Sequence, residues 1–129
     1  MGVVHHSNYL RYFEVARLEW LTQLGVSYAE MELAGVMMPV IEANIQFKTP
    51  ARFEDTLRVH IHLDTVPLVK MRFDYRVYNQ HNDLVCEAMT TLAFMRSDSR
   101  KPMRCPAQFQ AVFKQVIDAA TLDDASLDA

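Results

Sequence analysis

The apolar residues of this chain of 129 residues first follow a helical period and then, from about residue 39, an extended one. In the segment NYLRYFEVARLEWLTQL, residues 8–24, apolar side chains recur every three or four positions, which predicts a helix. Ser7 or Asn8 is suited to cap its start and Gly25 to end it. Few charges interrupt the segment, so we expect most of the helix circumference to be buried. A short second helix is predicted over residues 28–33.

Four extended segments follow the helices, and each predicts a β-strand. They are PVIEANIQFK (39–48), TLRVHIHLD (56–64), LVKMRFDYRVYN (68–79) and DLVCEAMTTLAFMR (83–96). The first three alternate between apolar and polar residues, whereas the fourth is apolar on both faces, as a central strand is. The short polar connections between the four favour antiparallel neighbours. A final amphipathic segment, PAQFQAVFKQVID, predicts a closing helix.

These elements predict an α+β domain in which a curved antiparallel sheet wraps one long central helix, because that packing gives the helix apolar neighbours on several sides. The length fits a single domain, which we place at residues 1–117. Residues 118–129 are rich in aspartate and are predicted to form a flexible acidic tail.

Charge and composition exclude several classes of function. The net charge of −3 gives no overall basic field for a nucleic acid, and no apolar run approaches the roughly 20 residues that span a bilayer. Cys86 lies in an apolar strand segment and Cys105 beside a proline, so we predict two reduced thiols in a cytoplasmic protein.

Histidines raise the question of a metal site. His60 and His62 face the same side of a predicted strand, and His5 and His6 supply two more imidazoles. No cysteine or carboxylate stands near them with the spacing of a zinc site, so an exposed strand face is the favoured interpretation. We predict neither a metal nor a redox cofactor.

The segment GVVHHSNYLRYFEVARLEWLTQLG, residues 2–25, resembles the helix entry of hotdog-fold acyl-CoA thioesterases of the 4-hydroxybenzoyl-CoA thioesterase-like family. Further matches are PARFEDTLRV (50–59), MRFDYRVYN (71–79) and SRKPMRCP (99–106), so that the resemblance covers residues 1 to about 117. It implies a hotdog fold, hydrolysis of an acyl-CoA to a carboxylic acid and free CoA, and a homodimer or homotetramer with a site shared between subunits.

Members of that family carry a catalytic aspartate just before the GVV motif, and here it would lie immediately upstream of Met1. Either the natural protein is longer than this chain, which we expect, or it lacks that carboxylate. His6 matches the motif histidine, and the resemblance implies that the backbone N–H near it polarises the thioester carbonyl at the helix N-terminus. The imidazole itself is predicted to be catalytic, the alternative being that it only packs or caps the helix.

Three further residues near the helix start are candidates for the site. His5 stands where the family usually has a tyrosine, and Asn8 either contacts substrate or caps the helix. Glu14 is the one carboxylate in the helix suited to replace a missing base; the favoured alternative is an ion-pair cluster with Arg11 and Arg17.

The phosphates of CoA require cations at the mouth of an apolar slot. By the resemblance, the nucleotide lies near the turn before the third strand and the segment after the fourth. Lys70 is the nearest cation in the first, and Arg100, Lys101 and Arg104 are the candidates in the second, with solvated surface charge as the alternative.

The predicted function is therefore that of an acyl-CoA thioesterase. Two alternatives remain open: a hotdog hydratase or dehydratase acting on acyl thioesters, and an acyl-CoA-binding module without catalysis. Spacing along one chain does not fix the length or type of the acyl group.

Overall fold

Three helices and six strands make up the part of the chain that a computed structural model describes, residues 7–52 and 54–122. In chain order these are α1 Ser7–Gln23, α2 Tyr28–Leu33, β1 Val36–Met37, β2 Val40–Phe47, β3 Arg58–Leu63, β4 Lys70–Tyr78, β5 Leu84–Ala93, β6 Met95–Arg96 and α3 Ala107–Leu122. The predicted helices and the four long strands are confirmed. None of the helices in these two ranges has the length and apolar character needed to cross a membrane.

Helix α1 ends as its sequence predicts. Gly25 adopts φ +80°, its N–H donates to the Thr22 carbonyl at 3.0 Å, and the Val26 N–H donates to the Leu21 carbonyl at 3.0 Å. This pair of bonds satisfies carbonyls that the helix end would otherwise leave without partners. Val26 and Leu21 are both buried, so the turn also directs the chain back onto the core.

The four long strands form one antiparallel sheet in the order β2-β5-β4-β3. β5 lies between β2 and β4, which confirms the central position indicated by its two apolar faces. The expectation that β2 and β3 are neighbours is wrong, because they occupy opposite edges of the sheet. The connection over residues 48–57 crosses from one edge to the other: the Lys48 N–H donates to the Val85 carbonyl at 2.8 Å, and Ala51 is buried.

Aromatic rings join α1 to the sheet. Phe13 stacks on Tyr75 of β4 with ring centroids 4.4 Å apart, and Tyr9 meets the edge of Phe47 of β2 at 5.3 Å. The same helix also contacts β3. Because α1 touches both edge strands and a central one, the sheet curves around it, as predicted.

The opposite side of α1 is not covered by the residues that the structure describes. Leu10, Val15 and Leu18 are 48%, 55% and 41% exposed, so the expectation that most of the helix circumference is buried is wrong for the described residues. A single four-stranded sheet can cover only one side of a helix. Because the other side of α1 carries few charged residues, its exposed surface is apolar.

Strand β2 is an exposed edge. Seven of its eight residues are exposed and Ile45 is partly buried. On the side away from β5, no strand within the described ranges pairs with it. A strand at the edge of a sheet is a suitable surface for pairing with a further strand.

Helix α3 packs against the C-terminal half of α1. Trp20 lies between Phe113 of α3, at a centroid distance of 5.9 Å, and Phe73 of β4, at 5.3 Å. α3 continues through Leu122, past the expected domain boundary at residue 117, and residues 123–129 of the expected acidic tail lie outside the described residues.

Candidate active site

The start of α1 is one end of the candidate site. The described helix begins at Ser7, in agreement with the prediction that the HHSNY segment starts it, and Asn8 lies partly buried in its first turn. His5 and His6 lie outside the described residues, so their proposed roles stay predictions. A helix start presents free backbone N–H groups and the positive end of the helix dipole, which suits a developing oxyanion.

The segments that carry the predicted cations Lys70 and Arg104 lie side by side at the other end of the sheet. The Cys105 N–H donates to the Leu68 carbonyl at 2.6 Å, which joins the segment after β5 to the turn before β4. Lys70, the first residue of β4, and Arg104 therefore lie on neighbouring segments, and both side chains are exposed. The two segments named from the sequence are thus neighbours in the fold, and their role in binding CoA stays a prediction.

Arg100 and Lys101 occupy the tight turn that follows β6. The Arg100 N–H donates to the Arg96 carbonyl at 2.8 Å, and the Arg96 N–H donates to the Lys101 carbonyl at 2.9 Å. All three side chains are exposed. Arg96 is thus a further cation near this turn, and sequence analysis missed it because the matching motif begins at residue 99; a count of basic residues from 96 to 104 would have included it.

One chain does not bring these two ends together. Tyr9 near the start of α1 contacts Phe47, which pairs with Cys86, and Cys86 pairs in turn with Val77. Lys70 lies at the opposite end of β4, roughly 23 Å away for a strand that rises about 3.3 Å per residue. Within one chain, the helix start and the cations therefore lie at opposite ends of the sheet.

A cavity of about 280 Å³ opens beside the middle of α1. Glu14 and Arg17 contribute its charged lining, and most of the remainder is apolar. The expected ion-pair cluster of these two residues with Arg11 is wrong: no salt bridge joins the three in the described structure. Glu14 thus faces the cavity without a neutralising partner.

Arg17 is instead anchored to the sheet. Its Nη1 donates to the Tyr75 hydroxyl at 3.0 Å, and that hydroxyl shares a 2.6 Å hydrogen bond with the hydroxyl of Thr90. Tyr75 and Thr90 are 1% and 0% exposed. Burial raises the pKa of Tyr75, while its hydrogen bonds oppose the rise, so the phenol stays neutral. Sequence analysis missed this network because it counted Tyr75 as an apolar strand residue.

The imidazoles of β3 lie on a strand face, as predicted. His62 is exposed, with Nε2 3.6 Å from a carboxylate oxygen of Asp64, and His60 meets the edge of the Tyr78 ring at 5.1 Å. Across the described residues, no three histidine, cysteine, aspartate or glutamate side chains form a group that could hold a metal ion.

The chain is similar to known proteins over most of its length. The sequence model of the thioesterase-like superfamily matches residues 1–113. YneP from Bacillus subtilis is 34% identical over 113 residues, which are 88% of this chain and 79% of YneP. A 1,4-dihydroxy-2-naphthoyl-CoA hydrolase from Thermosynechococcus vestitus is 30% identical over 121 residues, 93% of this chain and 83% of that enzyme. The crystal structure of DHNA-CoA thioesterase from Staphylococcus aureus matches with a TM-score of 0.86 at 28% identity, covering 96% of this chain and 85% of that one.

Proposed function

This chain belongs to the thioesterase-like superfamily, and on that basis we propose that it hydrolyses acyl-CoA thioesters to a carboxylic acid and free CoA. The observation that carries the proposal is the similarity, over 93% of the chain, to a hydrolase of a CoA thioester. The hotdog fold expected from the resemblance is confirmed by the match to the Staphylococcus aureus thioesterase structure.

In this reaction a water oxygen adds to the thioester carbonyl carbon, the carbon–sulfur bond breaks, and the CoA sulfur leaves as a thiolate that takes up a proton. The carbonyl oxygen gains negative charge as water adds. The start of α1 stabilises that charge with the backbone N–H near His6, and the His6 imidazole assists as a proton carrier. His5 and Asn8 contact the substrate beside it.

The CoA phosphates bind the exposed cations at the other end of the sheet. Lys70, Arg100, Lys101 and Arg104 are the proposed partners, and the hydrogen bond that joins their two segments supports a common site. Arginine and lysine suit this role because charge-assisted hydrogen bonds to phosphate are stronger than neutral ones.

The active unit is a homodimer formed by antiparallel pairing of β2 with its copy in a second chain. In such a pair the Phe47 end of one β2 lies beside the Val40 end of the other. The start of α1 then lies at the same end of the joined sheet as the partner's Lys70. This arrangement completes the site, and the exposed apolar side of α1 offers a surface for a homotetramer.

A reducing, cytoplasmic compartment belongs to the same proposal. It is supported by Cys86 and Cys105, which are both buried as free thiols.

Release of CoA thiol, followed with a disulfide dye, tests the proposed reaction on short, long and aromatic acyl-CoA substrates. We expect turnover of at least one of them. Joint replacement of Arg100, Lys101 and Arg104 by alanine should raise KM several-fold with a smaller effect on kcat, whereas Lys114→Ala on α3 should change neither. Binding of acyl-CoA without turnover of any substrate would contradict hydrolysis.

The dimer is tested by light scattering after size-exclusion chromatography. Ala43→Lys places like charges on both copies of the β2 edge, so we expect dissociation to monomers and loss of activity. Glu32→Lys, an equally exposed change on α2, is the control. A wild-type protein that is active as a monomer would overturn the shared site.

A further inference from the structure

Two side chains join the connection between β2 and β3 to the turn between β4 and β5. Gln80 Nε2 donates to Asp55 Oδ1 at 2.9 Å, and the Thr56 N–H donates to Gln80 Oε1 at 3.1 Å. The other carboxylate oxygen of Asp55 accepts a hydrogen bond from the Arg52 N–H at 2.7 Å. We call these three hydrogen bonds the Asp55–Gln80 clasp; its two named residues are 25 positions apart in the chain.

The turn that carries Gln80 is a fixed support. Asn79 is buried, and its Oδ1 accepts from the backbone N–H groups of His81 at 2.9 Å and Asp83 at 3.0 Å. The Asn79 N–H in turn donates to the Asp83 carbonyl at 3.1 Å. An asparagine side chain that bonds the backbone two and four residues later stabilises such a turn. Gln80 therefore projects from a backbone that has little freedom to move.

The connection is attached to the sheet at both ends. At its beginning, the Lys48 and Thr49 N–H groups both donate to the Val85 carbonyl, at 2.8 and 3.2 Å, and Ala51 is buried. Near its end, the attachment is the Asp55–Gln80 clasp. Because loops open locally where few bonds hold them, loss of the clasp should free the second half of the connection while its first half stays in place.

The same connection lies near the first turn of α1. Phe47, the residue before it, meets the edge of the Tyr9 ring at 5.3 Å, and Tyr9 is 2% exposed. Burial raises the pKa of Tyr9 to about 12, with smaller contributions from Cys86, Tyr12 and Asp55. The Asp55 carboxylate is therefore close to a side chain in the turn that begins the helix.

We propose that Asp55 and Gln80 are positioning residues for the thioester carbonyl. The clasp holds the connection beside Tyr9 and thereby keeps the start of α1, whose N–H groups are to receive the carbonyl oxygen, in one orientation. This inference rests on the proposed thioesterase function. Donors that are fixed before substrate binds stabilise an oxyanion without reorganisation, and this advantage is lost when their support moves.

A reciprocal exchange of the two side chains tests the clasp. Asp55→Asn places two amide groups opposite each other, and Gln80→Glu places two carboxylates opposite each other, so each single variant loses a bond. In the double variant the asparagine amide donates to the glutamate carboxylate, while the Arg52 and Thr56 N–H groups keep their acceptors. We expect kcat to fall about fivefold in each single variant, with KM changed less than about twofold, and to return to near the wild-type value in the double variant.

Release of CoA is measured with the acyl-CoA that wild type turns over fastest. The assay is set at about pH 8, where an ordinary imidazole is neutral, because His81 Nε2 lies 3.5 Å from Gln80 Nε2. Glu54→Gln is the matched control: it removes the neighbouring exposed carboxylate from the same connection and should change neither kcat nor KM. Unfolding temperatures establish that each variant is folded under the conditions of the assay.

A kcat that stays at the wild-type value in both single variants, or that falls in them and is not restored in the double variant, overturns the inference and leaves the thioesterase proposal intact. An equal loss in Glu54→Gln also overturns it, because the effect would then be one of charge. A wild-type protein that turns over no acyl-CoA contradicts the thioesterase proposal and the positioning role together.

Discussion

The Arg17 side chain on α1 donates a hydrogen bond to the Tyr75 hydroxyl on β4 at 3.0 Å, across an interface that is otherwise aromatic and aliphatic. The Tyr75 ring also stacks on Phe13, which lies one turn before Arg17 on α1. The helix is thus attached to the sheet at two points of different chemistry. Stacking alone tolerates rotation of a helix about its axis, whereas a directed hydrogen bond does not.

Tyr75→Phe should reduce stability although the ring is kept. The change leaves the buried Thr90 hydroxyl and the Arg17 guanidinium without their shared partner, so we expect the free energy of unfolding to fall by about 1–3 kcal/mol. Urea denaturation followed by fluorescence measures it. Tyr28→Phe, at an exposed tyrosine, is the control and should have a small effect. Equal stability of Tyr75→Phe and wild type would show that the network contributes nothing.

Gly25→Ala should destabilise the end of α1 through its backbone alone. Gly25 has φ +80°, and no atom lies within 4 Å of an added Cβ, so the side chain meets no neighbour. The left-handed conformation should lower the free energy of unfolding by about 1–2 kcal/mol. Gly25→Asn should lower the free energy of unfolding by less, because asparagine adopts the left-handed conformation more readily than alanine. If thermal denaturation shows both variants to be as stable as wild type, the turn differs from the one described.

Asp55 should make stability depend on acid pH. The pKa of its carboxyl lies below the ordinary value of 3.8, first because the Arg52 N–H donates to it and then because the Gln80 amide does. A folded-state pKa below that of the unfolded chain gives stability that is present above the unfolded value and is lost as pH falls through the folded one. Asp55→Asn should therefore narrow the difference between unfolding temperatures at pH 6 and pH 3.

Asp118→Asn, at an exposed carboxylate on α3, is the comparison for that measurement and should preserve the wild-type pH dependence. Identical pH profiles for Asp55→Asn and wild type would contradict the role of these hydrogen bonds.

Both cysteines should be inert in the native protein. Burial raises the pKa of the Cys86 and Cys105 thiols to about 11 each, so almost no thiolate is present at neutral pH. A disulfide dye should label neither thiol within minutes in buffer and both in urea. Rapid labelling of the native chain would show that one of them is accessible, and the colour from the protein would then have to be subtracted in assays of CoA release.

The sequence alone was sufficient to predict those parts of the structure that local chemistry determines. Gly25 ends α1 because few residues adopt its conformation, and β5 is central because a strand with two apolar faces needs cover on both. The placement of β2 and β3 at opposite edges was not predictable, since a connection of polar residues can either turn back or cross the sheet. The partners of Arg17 also depend on how α1 is rotated about its own axis over β4. The spacing of residues along the chain does not determine that rotation.

The same distinction holds for the candidate site: local motifs can be recognised in the sequence, whereas contacts between distant segments cannot. Lys70 and Arg104 were proposed because the resemblance points to their two segments, and the hydrogen bond between Cys105 and Leu68 joins those segments. Arg96 lies outside the motif and was missed. The proposed approach of the cations to the helix start involves a second chain, so the spacing of residues along one chain does not indicate it.

The crossing connection between β2 and β3 also constrains the order in which the molecule can form. β3, β4 and β5 follow one another along the chain and pair in that order, so they can assemble through local contacts. β2 finds its position only after β5 exists, because its partner is the later strand, and closing that long loop is slow. We therefore expect the strand proposed to carry the subunit contact to join the sheet last, so that completing the fold and binding a partner are successive events at the same edge.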